Sequence, residues 1–227
     1  MVKLNDLVKK ELVEPSIDLA IDYSNIGIDS ITEDGVLSEI PFVKTIVAGT
    51  KITLAVKERF FVKKFLNFLS EFHNGDIDPE KYIKFKNRLD NDKKYRDNVI
   101  EILTIMIERY IDINQSKIMA NLFKEYINGS MDWDKFYSLC IVLERVHPQS
   151  YRTLYEMSLK SNQELSHSYW GSKAGKPPEE RDIYKLNSEE EALLLSAGIV
   201  SPHGTHYSIT PLGRDLFRFG ILRLFNK

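Results

Sequence analysis

Residues Ile40–Phe72 read IPFVKTIVAGTKITLAVKERFFVKKFLNFLSEF, the longest apolar-rich run of the chain. Phe42, Val43, Ile46, Val47, Thr50, Leu54, Phe61, Phe65, Leu66 and Leu69 recur at spacings of three, four and seven. That is helix periodicity, not the alternation of a strand. Pro41 suits a first helical turn, because its missing N–H would have no partner there in any case. Gly49 costs about 1 kcal/mol relative to alanine inside a helix, so it marks a bend or the close approach of another backbone. The β-branched residues Thr45, Ile46, Val47, Thr50, Ile52 and Thr53 lower the local helix propensity, which leaves packing to hold the segment. The expectation is one long central helix over about 41–72 that organises a helical domain.

A membrane-spanning helix needs roughly 20 largely apolar residues. Lys44, Lys51 and Lys57 interrupt this run, and each lysine near a bilayer centre costs at least about 2.5 kcal/mol. Lys44 and Lys51 lie seven apart on one helical face, and Lys63 and Lys64 extend the positive charge. Two readings follow: the central core helix of a helical domain, or a basic amphipathic helix lying in a membrane interface. From Glu11 to Ile40 there are eight acidic residues and no lysine or arginine, whereas Pro41–Ser70 carries six basic residues and one acidic. Blocks so arranged predict that the acidic segment folds back along the basic helix. Exposed pairs of this kind contribute at most about 1 kcal/mol each, so they set register and could mask the basic face.

The remainder of the composition is that of an ordinary globular protein: 227 residues, 43% hydrophobic, 28% charged, net charge -2. That balance gives no overall pull toward nucleic acid or acidic lipid. The single cysteine, Cys140 in SLCIVL, cannot form an internal disulfide and reads as a buried thiol. No apolar signal-peptide core is seen at the start, so the expected location is cytoplasmic, peripheral at the inner face of the membrane if the basic surfaces bind lipid.

Along the chain, residues 4–13 predict a short helix ending before Pro15, and Ser16 an N-cap for a second helix bearing Ile17, Leu19, Ala20, Ile21 and Ile26. Asp78-Pro79-Glu80 is a helix start, with an aspartate cap and proline at the first position. Asp92 or a neighbour starts the next, through Val99, Ile102, Leu103, Met106 and Tyr110. A helix over about 115–127 stops at Asn128-Gly129. Asp132 caps a helix carrying Trp133, Phe136, Tyr137, Cys140 and Leu143, and a helix over about 149–159 follows the break at Pro148. Ser188 caps a helix ending at Ala197-Gly198. Ile199-Val200 and Tyr207-Ser208-Ile209 read as short strands, and Thr210-Pro211 opens a final helix. Helix, two-stranded wing and helix form the C-terminal half of a winged-helix unit. The predicted fold is therefore mainly α, with an α-helical domain at 1–160, a loop or linker at 161–185 and a winged-helix-like unit at 186–227.

No catalytic motif stands out. His203 and His206 share a turn rather than a helix face, and His147 and His167 lie elsewhere, so no zinc set is assembled. Ser166-His167-Ser168 has no strand–turn–helix elbow around it. Phosphate-binding glycine loops are missing from the sequence. The wing carries no lysine or arginine, and the helix before it begins Glu189-Glu190-Glu191, which DNA would repel. No cofactor or metal is expected, and the chain reads as non-enzymatic. The candidate contact residues are Lys44, Lys51, Lys57, Lys63, Lys64, Arg218 and Arg223 for a membrane or partner, the last two in the basic tail RDLFRFGILRLFNK. Tyr169 and Trp170, side by side in the polar linker, are the candidate protein anchor.

Three segments, EILTIMIERYID (101–112), IMANLFKEYINGSMDWDKFYSLCIVLERVHPQSYRTLYEM (118–157) and LLLSAGIVSPHGTHYSITPLGRDLF (193–217), resemble the Abi-alpha (abortive infection alpha) family of bacterial phage-defence proteins over roughly residues 95–217. The family carries comparable helices and a comparable closing element in the same order, with no catalytic residues to transfer. The resemblance implies a phage-defence protein acting through its helical surface on a membrane or a protein partner, homo-oligomers included. The alternatives are an accessory protein-binding subunit and a winged-helix DNA-binding regulator.

Overall fold

The computed structural model describes residues 4–27, 31, 37, 40–44, 56–157, 186–203 and 206–225. These are mostly helical, with one small antiparallel two-stranded sheet near the C-terminus. Two compact units are formed by residues 1–136 and 137–227. The division falls inside a helix, earlier than the compositional change at 161–185, which is outside the described residues.

The first unit contains α1 (Leu4–Val13), α2 (Val56–His73), α3 (Pro79–Asn91), α4 (Lys93–Arg109) and α5 (Ile113–Ile127), and it ends in the first turn of α6 (Trp133–Arg145). The central stretch is helical where it is described, as a turn at 41–44 and as α2; residues 45–55 between them are outside the described residues. Helix α2 buries Val62, Phe65, Leu66, Phe68, Leu69 and Phe72. Its three- and four-residue spacing stacks Phe61, Phe65, Phe68 and Phe72 in file, with successive centroids 6.0, 6.2 and 6.0 Å apart. Phe42 joins the file at 4.5 Å from Phe65. Phe123 of α5 meets Phe68, Phe72, Phe85 and Phe136 at 6.2, 5.5, 5.6 and 5.4 Å. Such pairs add about 0.5–1.5 kcal/mol each beyond the area they bury, so this aromatic node fixes α2, α3 and α5 together.

The helix punctuation follows local chemistry. Asp78 accepts from Lys81 N and precedes Pro79. Asp92 ends α3 with its N–H on Arg88 O and starts α4 by accepting from Tyr95 N. Asp112 and Gln115 form a capping box on α5. Gly129, with φ 75°, closes α5: its N–H donates to Tyr126 O and the next N–H to Glu125 O. That is a Schellman end, which requires the left-handed conformation glycine tolerates.

One predicted helix is not formed. Residues 15–27 make turns instead, because Asp18 and Asp22 accept from the N–H groups of Ala20 and Ser24, two residues on. Local side-chain bonds of this kind compete with helix formation. Ser16 is likewise no N-cap; its N–H and hydroxyl donate to Glu11.

The second unit holds the rest of α6, α7 (150–157), α8 (Ser188–Ser196), β1 (Val200–His203), β2 (His206–Ile209), α9 (Pro211–Leu216), a π turn (Phe217–Ile221) and α10 (Leu222–Phe225). The cap of α8 is Asn187, one residue before the predicted Ser188, and Glu190 completes its capping box. Gly198 (φ 72°) ends α8 in a second Schellman turn. The hairpin pairs Val200 with Ile209 and Ser201 with Ser208. Thr210 donates from its hydroxyl to Gly198 O and accepts from Gly213 N, so one residue closes the hairpin base and opens α9. Cys140 is buried.

Candidate interaction surface

Among the described candidate contact residues, exposure differs from one to the next. Lys44 is exposed and Lys63 half-buried, whereas Lys51 lies outside the described residues. Lys57 is exposed and its ammonium lies 2.7 Å from Glu108 Oε1 on α4. This bond raises the Lys57 pKa and holds that of Glu108 below the ordinary carboxylate value.

Lys64 faces inward. It is 2% exposed, and its ammonium donates to Glu108 O at 2.8 Å and Tyr110 O at 2.5 Å. Burial lowers its pKa to about 8 against the partial support of Glu108. Lys64 is therefore removed from any lipid-facing set, because its charge is committed to the carbonyls that end α4.

The same device recurs through the first unit. The last carbonyls of a helix lack intrahelical partners and carry partial negative charge, which a cation or other donor satisfies. Lys124 of α5 donates to Glu71 O near the end of α2 at 2.9 Å, with its ammonium 3.5 Å from the Glu71 carboxylate; both residues are buried. Lys81 of α3 donates to Asn128 O at the end of α5. Arg96 of α4 donates to Leu89 O of α3 at 3.3 Å. At the end of α1, Tyr82 donates to Leu12 O at 2.8 Å and His73 Nε2 to Glu11 O at 2.8 Å. Since a carbonyl only accepts, the His73 proton sits on Nε2. Each helix from α1 to α5 thus has a carbonyl at its C-terminal end received by a side chain from another helix.

The acidic segment 11–40 was expected along the basic helix. Among its described acids, Asp22 lies 3.9 Å from Lys117 of α5, and the Glu11 carboxylate is taken by Ser16. Lys9, just before it, pairs with Asp90 of α3 at 2.6 Å.

In the second unit two aromatics of the basic tail meet Tyr155. Tyr155 of α7 stacks on Phe225 at 4.5 Å and meets Phe217 at 6.2 Å. Arg218 stays exposed, with its guanidinium 5.3 Å from the Phe219 ring, and Arg223 is half-buried. Tyr169 and Trp170 lie outside the described residues, as do the side chains of His203 and His206.

Among the described residues no helix is long and apolar enough to cross a membrane, and no group of three or more histidine, cysteine, aspartate or glutamate side chains is placed to hold a metal. What the sequence did not single out is a set of exposed aliphatics. Val56 is 60% exposed, Ile105 40% and Ile111 70%. In sequence, Val56 adjoins Lys57, and Ile105 and Ile111 stand three residues either side of Glu108, the two partners of that ion pair. In comparisons with known proteins, no family model, no curated protein and no solved structure matches the chain.

Proposed function

We propose that this is a non-enzymatic bacterial defence protein of the abortive-infection kind that acts by protein contact through its helical surface. The phage-defence part of this reading stems from the resemblance of residues 95–217 to the Abi-alpha family. The contact mode is supported by one observation above all: Lys64 is sealed onto Glu108 O and Tyr110 O and Lys57 is paired with Glu108, so two of the described lysines of the central stretch are held by α4. Outside lie the aliphatics Val56, Ile105 and Ile111 and charges of both signs (Lys44, Lys57, Glu101, Glu108, Arg109), residue types a protein interface uses. An accessory subunit of a larger complex would use the same surface.

A peripheral attachment to anionic lipid at the inner membrane face is the second reading, favoured by the exposure of Lys44 and Arg218. The closing helix–hairpin–helix is read as winged-helix-like and as a packing or protein-contact element, since the acids of its first helix oppose nucleic-acid binding.

The defence reading is tested by phage challenge of a bacterial host expressing the chain. A drop in plating efficiency of tenfold or more against at least one phage is expected. Unchanged plating across a broad panel would remove it. Co-flotation of the purified protein with anionic liposomes at physiological salt separates the contact modes. The protein should stay unbound; flotation that is lost in the variant K44E/R218E would instead establish the lipid mode.

A further inference from the structure

We draw no further inference here: the strongest candidate, the exposed face of α3 that carries Lys84 and Arg88, carries nothing, because Glu80 and Asp92 stand one helical turn from these cations and nothing in the structure shows what covers it.

Discussion

The ammonium of Lys64 and the carbonyl oxygen of Tyr110 lie 2.5 Å apart, joining the middle of α2 to the residue that ends α4. With Glu108 O also on Lys64 and the Glu108 carboxylate on Lys57, two lysines seven residues apart clamp one helix end from the side chain and from the backbone. Lys64→Met keeps most of the apolar stem and strips the donors from two carbonyls. A loss of about 1–3 kcal/mol is expected, since buried groups are left unsatisfied, measured by urea unfolding. A charged Lys64 is disfavoured in the fold, its pKa being about 8 against 10.5. The unfolded chain therefore binds the extra proton between those values, and stability gains from this group as pH rises from 8 to 10.5. The parent-minus-variant difference should show that slope; a flat difference would contradict the buried placement.

Gly75 and Lys124 form the second test. A Cβ at Gly75 would overlap the buried ammonium and the methylenes of Lys124, which is itself held on Glu71. Gly75→Ala should destabilise by about 1–3 kcal/mol, as overpacking does. Combined with Lys124→Ala, which clears the space, its added cost should largely vanish. Strict additivity in that double-mutant cycle would show that the two residues do not compete.

His73 gives the first unit an acid-sensitive seam. Burial lowers its pKa from the ordinary 6.5, opposed by its bond to Glu11 O and the nearby Glu11 carboxylate. A histidine that stays neutral in the fold contributes stability above pH 6.5 that is lost as pH falls through and below that value, because the unfolded chain takes the proton more readily. His73→Gln retains a donor for Glu11 O without titrating. Its stability should fall less than the parent's between pH 7 and pH 5 in equilibrium unfolding.

In the second unit, Gly213 is where α9 crosses the hairpin. A side chain there would run into Ile199 O and sit 2.9 Å from Ile209 Cγ2. Since the first obstacle is backbone, Gly213→Ala should unseat α9 and loosen the 186–225 segment, seen as faster amide exchange in β1 and β2. Thr210→Ala removes the cap and the bond to Gly198 O. A cost of about 1 kcal/mol is expected from the cap alone.

Helix starts and stops were legible where they depend on neighbours in sequence. Asp78-Pro79, Asp92, Asp132, Asn128-Gly129, Ala197-Gly198 and Thr210-Pro211 act over four or five residues, and the structure uses all of them. The 17–26 helix failed for the same local reason read the other way, since two aspartates offered the backbone a competing bond. The cap of α8 moved by one residue because asparagine at 187 and glutamate at 190 satisfy both partners of a capping box.

The charges were read less well. Lysine spacing along the central stretch suggested an outward basic face, yet lysines 57 and 64 differ in fate by what lies across from them. One meets a surface glutamate; the other meets the end of a helix 44 residues away. No local pattern encodes that distance. The sequence by itself determined a mainly helical chain, its punctuation and its closing hairpin, because propensity, capping and periodicity are properties of a few consecutive residues. Only the tertiary structure decided which cations leave water, and which aliphatics, Ile105 and Ile111 among them, stay in it. Burial belongs to the neighbours a residue acquires on folding, and for Lys64 those neighbours were the unsatisfied carbonyls of another helix.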